Sequence, residues 1–335
     1  MDHYLIKNIL IEIGQRIARQ VHDALKKQSL DHLSSVFREG NDDLVFQIDR
    51  DVENLLLPAL REVAGELGGI VLVAEGLSDE GFQVLPESMK PGEAQIKLII
   101  DPIDGTRGIM YDKRSAFFLA AAAPNLENAT LGDLEVAVMV EIPTSRLFLS
   151  DTIWAVKGQE KGAITLNLVN NEQQQRPIRP STASRLYGGF GQIARFFPPG
   201  RDILAAMDER LIQKLYPDAP EGHTIVFEDQ YISSGGQLYE LLTGHDRFVA
   251  DLRTLLFRKF KQEGKKIGHQ CHPYDLCAHL IGEAYGLIIT GTRGEPLIAP
   301  LDTTTAVDWI AYANQDIRDE IEPKLQEVIK EFQLY

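Results

Sequence analysis

The stretch KLIIDPIDGTRG, Lys97 to Gly108, decides how this chain is read. Lys97 to Ile100 has the apolar, β-branched character of a buried strand. It ends in two carboxylates three residues apart, Asp101 and Asp104, with Gly105 and Thr106 directly behind them. Like charges that close raise each other's proton affinity unless something positive sits between them, and a metal ion is the simplest such partner. Pro102 stiffens the turn and leaves the Ile103 carbonyl without a strand partner, free to serve as a neutral ligand. Gly105 permits a close bend. Its N–H and that of Thr106 would begin a helix or nest, where an anion is well placed. Metal carboxylates beside an anion cradle point to a phosphate bridged to metal.

An exposed turn is the plain alternative for a lone Asp-x-x-Asp-Gly, and a calcium loop is another. The alternating acidic positions and closing Glu of an EF-hand are absent here. Against the exposed turn stands a second strand that also ends in a carboxylate, GIVLVAEG with Glu75. If the two strands are neighbours, Glu75, Asp101 and Asp104 converge at one sheet edge. Such hard oxygen ligands suit Mg²⁺ or Mn²⁺ rather than zinc.

The chain has 335 residues, 44% hydrophobic and 25% charged, as expected of a soluble globular protein. One large α/β unit is expected, built from portions 1–180 and 181–335 that pack as one body. The formal charge of −15, from 34 Lys+Arg against 49 Asp+Glu, argues against a nucleic-acid polymer or an anionic membrane as partner. A bound divalent cation would still admit an anionic small substrate. Cys271 and Cys277 are the only cysteines, so a disulfide framework is excluded and a reducing cytoplasm is the expected home. Residues 1–38 read as an amphipathic core helix rather than a signal peptide, and no segment has the apolar length of a membrane span.

A second helix is expected over Asp49–Leu67, ending at Gly68-Gly69. SAFFLAAAAP, LEVAVMVEIP, RLFLSDT and TIWAVKG read as short strands of a mixed or antiparallel sheet. NNEQQQR, Asn170 to Arg176, reads as a solvated hairpin tip. A further α/β portion runs from SRLYGGFGQIARF through YISSGGQLYELLTG to HPYDLCAHLIGEAYGLIIT. It closes with a strand in AVDWIAYANQ and a helix in DIRDEIEPKLQEVIKEF.

With these pieces laid out, IIDPIDGTRG resembles the signature of the inositol monophosphatase family, within the metal-dependent, lithium-sensitive sugar phosphatases. YDLCAHLIGEAYG, Tyr274 to Gly286, is similar to the family's second signature, with Tyr274 in place of its Trp. DDLVFQIDRDVENLLLPAL resembles its early segment, and the order and spacing of all three agree across nearly the whole chain. The resemblance implies a layered α-β-α-β-α sandwich, an α/β (α+β) fold, and a homodimer. It implies that Glu75, Asp101, Asp104, Asp275 and the Ile103 carbonyl hold two or three Mg²⁺ ions. Gly105 and Thr106 N–H groups would bind phosphate oxygens. Asp49 and Thr106 would orient the metal-activated water that attacks phosphorus in line, with Glu75 completing the catalytic group.

SSGGQLYELLTG resembles the family's strand-to-helix turn beside the substrate, which makes Ser234, Gly235, Gly236 and Gln237 candidate substrate contacts; a plain helix cap is the alternative. The chain departs from the pattern elsewhere. VAEGLSDEG replaces Gly-Glu-Glu, leaving Asp79 or Glu80 as outer partners, and Arg107 stands where a cation would pair with Glu75 or reach substrate. An insertion, TLLFRKFKQEGKKIGHQC at 254–271, occupies the region that shapes the family's alcohol pocket. The implied activity is therefore a phosphomonoesterase acting on a small phosphorylated polyol, sugar or nucleotide. A 3′-phosphoadenosine 5′-phosphate or fructose 1,6-bisphosphate phosphatase, and a non-catalytic phosphometabolite binder, are the alternatives.

Two other constellations read as structural. His269, Cys271, His272, Cys277 and His279 match no zinc-finger spacing, and buried cysteines with surface histidines are expected instead. GFGQIA, Gly189 to Ala194, matches a loose dinucleotide fingerprint, but Pro198-Pro199 would end any helix that must follow it. The basic run Arg258–Lys266 reads as a solvated loop.

Overall fold

Strict alternation along Ala116–Pro124 shows how the layers form. Phe117, Leu119, Ala121 and Ala123 enter one apolar core, while Phe118, Ala120 and Ala122 enter another, so both faces of this strand are covered. The computed structural model describes residues 1–27, 33, 36–39, 44–75 and 81–335. Val36–Glu39 (β1) and Leu44–Phe46 (β2) pair antiparallel as a small two-stranded sheet. The large sheet comprises Ile70–Ala74 (β3), Gln83–Leu85 (β4), Ile96–Asp104 (β5), Ala116–Pro124 (β6), Val136–Ile142 (β7), Leu149–Val156 (β8), Lys161–Asn167 (β9) and Gln173–Gln175 (β10). Their order is β10-β9-β8-β7-β6-β5-β3-β4, antiparallel except for the parallel pair β3–β5. The smaller sheet holds Gly189–Ile193 (β11), Val226–Phe227 (β12), Asp246–Asp251 (β13), Ile288–Thr290 (β14) and Trp309–Tyr312 (β15), in the order β12-β11-β13-β15-β14.

Three cores separate five layers. Helices His3–Lys27 and Gln47–Ala64 cover one face of the large sheet, burying Leu10, Ile17, Val52 and Leu56 against Ile100, Phe118 and Val138. The first helix lies directly on the strands, since a Cβ at Gly14 would come within 2.6 Å of Phe118 and Val140. Helices Ser234–Leu242 and His279–Tyr285 fill the space between the sheets, with Leu241 and Ile281 packed beside Phe117, Val249 and Ala311. Helices Arg201–Leu215, Arg253–Gln262 and Gln315–Glu331 cover the outer face of the smaller sheet through Leu204, Phe257 and Ile321. This is the expected α-β-α-β-α sandwich.

Several local expectations change. The first helix is described over His3–Lys27, and Val36–Glu39 pairs as a strand instead of continuing a helix to residue 38. RLFLSDT and TIWAVKG are not two strands but one, β8, because its register with β7 and β9 runs unbroken. Gln173–Gln175 is an exposed edge strand on β9 rather than only a tip. The helix Arg201–Leu215 was not foreseen; only Leu204, Met207 and Leu211 form its buried stripe. The basic run begins inside the helix Arg253–Gln262, anchored where Arg258 meets Asp308 at 3.0 Å. Among the described residues no helix is long and apolar enough to cross a membrane.

Candidate active site

In a regular strand, residues three apart point to opposite faces. Asp101 and Asp104 do not, because β5 bulges between them: Asp101 lies opposite Leu119 and Asp104 opposite Phe117, both on the inter-sheet face of β6. Pro102 sits in the bulge, where its missing N–H breaks no ladder bond. The bulge thus aims both carboxylates into the layer between the sheets. Over the same face, packed against β5 and β6, lies Asp275, in the short turn Pro273–Leu276. One ligand atom from each of Asp101, Asp104 and Asp275 lies within 4.8 Å of the others.

Each carboxylate is aimed by backbone. The Ile103 N–H donates to Asp101 Oδ1 at 3.0 Å, and the His272 N–H to Asp275 Oδ2 at 2.6 Å. Asp104 Oδ2 accepts the Ser233 hydroxyl at 2.9 Å and the Gly235 N–H. Gly235 is needed there, since a Cβ would stand 2.8 Å from Asp104 Oδ2 and 2.9 Å from Leu119. Ser233 also caps the helix Ser234–Leu242, accepting the Gly236 N–H at 2.7 Å. Gly105 takes a left-handed φ of 97°, turning the chain into the short helix Thr106–Met110. There the Thr106 hydroxyl lies 3.1 Å from Asp49 Oδ1 and 2.8 Å from the Ile103 carbonyl, with one proton to share between them.

Burial, together with the charges of Glu75, Asp104 and Asp275, holds Asp101 well above the usual carboxylate range. Burial also pushes Asp104 up to about 6, although bonds from Gly235 and Ser233 work the other way. Asp275 is pushed up to about 8 by burial and by Asp104. Three desolvated carboxylates that repel one another are a poor arrangement without a cation and a good one with it. All-oxygen donors fit Mg²⁺ or Mn²⁺.

The cleft above this cluster is lined by Asp49, Glu53, Glu75, Gly105, Thr106, Arg107, Phe196, Phe197, Ile232, Ser233, Ser234, Arg253, His269 and Gln270. The structure therefore brings Asp49, Glu75, Asp101, Ile103, Asp104, Gly105, Thr106, Ser234 and Asp275 to one place. Glu75 borders the cleft but stands outside the tight trio. Asp79 and Glu80 lie outside the described residues. Gly236 and Gln237 turn away from the cleft. A Cβ on Gly236 would meet the Tyr231 ring at 2.7 Å, and the fully buried Gln237 donates to the Tyr231 carbonyl at 3.2 Å. They support the cleft rather than line it. Arg107 does line it, 5.1 Å from the Phe197 ring centre.

Ser233, Glu53, Arg253 and the Phe196–Phe197 pair were not singled out from the sequence. For Ser233 the signal was present: a Ser before Ser-Gly-Gly at a helix start is a cap. The histidine expectation also changes, since His272 and His279 are buried, not at the surface. His272 stacks on Tyr274, and burial drives His279 down to about 4. Both cysteines are free and buried as expected, and the trio is the one His/Cys/Asp/Glu cluster of metal-binding geometry among the described residues. At GFGQIA the chain forms β11 with no helix at the glycines, so no dinucleotide turn exists there.

No family model matches the chain, and no curated protein matches it. Solved structures do. The extragenic suppressor protein suhB from Bartonella henselae matches with a TM-score of 0.64 at 15% identity, over 96% of this chain and 99% of that one. The Thermotoga maritima IMPase matches with 0.58 at 19%, over 99% and 100%, and inositol monophosphatase from Anabaena (Nostoc) with 0.58 at 15%, over 98% and 97%. At such identities the likeness is one of fold, and with the five layers and the carboxylate edge it is unambiguous: the chain has the fold of the inositol monophosphatases.

Proposed function

We propose that this protein is a Mg²⁺-dependent phosphomonoesterase that hydrolyses a small phosphorylated polyol, sugar or nucleotide. The observation that carries the reading is a pair of devices at one cleft: the buried trio Asp101, Asp104 and Asp275, and the Asp49–Thr106 hydrogen bond beside the left-handed Gly105. A module that only binds has no need of the second device.

Asp101, Asp104 and Asp275 would hold the cations, with Glu75 and the Ile103 carbonyl as further oxygen donors at the rim. Divalent cations bound there supply a lowered water pKa and neutralise charge on the phosphoryl group. The remaining work falls to the chain. Thr106 gives its proton to Asp49 or to the Ile103 carbonyl, so its lone pair is turned outward as acceptor for a water proton. That fixes the direction from which water approaches phosphorus. The Gly105 and Thr106 N–H groups hold phosphoryl oxygens, where donors in a partly dry cleft stabilise charge better than water does. Ser233 and Gly235 keep Asp104 from rotating during the reaction. The solved relatives of this fold named as inositol monophosphatases support the same reaction class.

The test is phosphate release from inositol monophosphate, fructose 1,6-bisphosphate, adenosine 3′,5′-bisphosphate and an aryl phosphate, with Mg²⁺, with chelator, and with Mg²⁺ plus Li⁺. Turnover that requires Mg²⁺ supports the reading, and loss with Li⁺ would add lithium sensitivity. Silence on every compound, with Mg²⁺ still bound, would favour a binder over an enzyme.

A further inference from the structure

Arg253 is the one buried guanidinium on the cleft wall, and its hydrogen bonds leave part of it unused. Its side chain is 3% exposed. Nε donates to Asp251 Oδ1 at 2.8 Å, Nη2 to Asp251 Oδ2 at 2.6 Å, and Nη1 to the His269 carbonyl at 3.2 Å. A guanidinium has five N–H groups. One on each terminal nitrogen therefore has no acceptor among the described residues, in a side chain that borders the cleft. The plane cannot swing to hide them. Asp251 grips one edge, and the Phe196 and Phe197 rings lie 4.5 and 5.6 Å from Cζ. Arg107 stands by the same ring, its Cζ 5.1 Å from the Phe197 centroid, so two guanidinium groups sit beside one phenyl ring.

We infer that this wall is a second anion subsite, and that the substrate is a small bisphosphate whose non-reacting phosphate is taken by the remaining N–H groups of Arg253. The inference rests on the phosphatase reading and adds the substrate class to it. The chemistry is that of a fixed planar fork. N–H groups on adjacent nitrogens of one guanidinium suit phosphate oxygens, and a side chain already held in place loses little entropy in binding them. The Asp251 partner keeps Arg253 charged and oriented, while Arg107 adds positive field at the same wall. The phenyl rings offer an apolar surface to the carbon skeleton between the phosphates. A guanidinium with only a structural role would use all its donors within the protein or turn the rest to bulk water.

The experiment compares kcat/KM of the Mg²⁺-loaded enzyme within two matched pairs. One is adenosine 3′,5′-bisphosphate against adenosine 3′-phosphate, the other fructose 1,6-bisphosphate against fructose 1-phosphate. A preference of at least about tenfold for the bisphosphate in either pair is expected, and the pair that shows it tells whether the phosphates ride on a nucleoside or a sugar. Arg253→Lys keeps a charge beside Asp251 but loses the fork. It should cut that ratio about tenfold, chiefly through KM, and calorimetry of the retained-phosphate product, adenosine 5′-phosphate or fructose 6-phosphate, should show the same loss of affinity. A structural role would lower both members of a pair alike and leave the ratio unmoved, which overturns the assignment of Arg253. Equal rates within both pairs in the unmodified enzyme overturn the bisphosphate inference while the phosphatase reading stands. This comparison needs no variant, so it decides even where Arg253→Lys does not fold. No Mg²⁺-dependent release from any of the four overturns the phosphatase reading, and this inference with it.

Discussion

Replacing Ser233 by Ala should damage both fold and site, because one hydroxyl serves two partners. It accepts the Gly236 N–H at 2.7 Å as the cap of the helix Ser234–Leu242, and it donates to Asp104 Oδ2 at 2.9 Å. Loss of a Ser cap costs about 1 kcal/mol. Loss of a buried hydrogen bond to a carboxylate costs about 1.5–3 kcal/mol, so the sum is about 3 kcal/mol. Unfolding entropy for a chain of this length is about 0.7 kcal/mol per kelvin, which makes the expected fall in Tm about 4 °C. The assay is thermal unfolding in chelator, so that cation binding does not enter, repeated in an Asp104→Ala background. There the serine has lost its acceptor, and the same substitution should cost only the cap, about 1.5 °C. A fall below about 1 °C in the unmodified background, or equal falls in both, would refute the two-partner account. In the Mg²⁺ titration of phosphate release, the Ser233→Ala protein should also need a several-fold higher concentration for half-maximal rate.

Gly235→Ala should cut turnover at least tenfold, since its methyl would stand 2.8 Å from Asp104 Oδ2; a near-normal rate would remove Gly235 from the support of the carboxylates. Thr106→Ala should lower kcat more than it raises KM, and an intact kcat would take Thr106 out of the water-orienting role. In chelator, Tm should fall as pH rises from about 5 to 8. Carboxyls whose folded pKa values are raised, Asp104 to about 6 and Asp275 to about 8, contribute stability below the ordinary carboxylate range that is lost as pH climbs through the raised values. Mg²⁺ should restore more stability at pH 8 than at pH 5, and a pH-independent Mg²⁺ effect would sink the idea. Asp101→Asn should abolish Mg²⁺-dependent turnover and, in chelator at pH 8, leave Tm equal or higher, because it removes a charge held among three others. Glu141, pushed up to about 7 by burial, follows the same sign. The Tm difference between Glu141→Gln and the unmodified protein should favour the variant increasingly from pH 5 to pH 8, and a flat difference would refute it.

What could be read in the sequence was what local periodicity and spacing encode. The apolar runs before Glu75 and Asp101 are strands because β-branched residues without breaks fit a sheet covered on both faces, and β3 and β5 do lie side by side. The cluster's first half followed from two aspartates behind one strand. What made them converge, the bulge around Pro102, was not legible, since alternation alone would have sent them to opposite faces. Asp275 was reached only through a resemblance, as nothing local ties it to Asp101. The turn at Ser233–Gln237 does open a helix near the cleft, although no strand runs directly into it, and its side chains were partly misassigned. Gln237 sits one turn into the helix, where it faces Tyr231, and the residue that matters, Ser233, gains its meaning from Asp104 across the inter-sheet layer. Arg253 was invisible for the same reason, because its value depends on Phe196 and Phe197, which come from a different strand end.

Asp101 and Asp104 ride on the larger sheet, whereas Asp275 is delivered only after the chain has laid down β11, β12 and β13 of the smaller one. A nascent or half-assembled copy can offer two of these carboxylates but not the third. Any cation drawn to the complete trio would act as a removable stitch between the first half of the polypeptide and the last quarter. Occupancy would then reward only copies in which the turn Pro273–Leu276 has docked on the larger sheet, so a cation centre there would also proofread assembly.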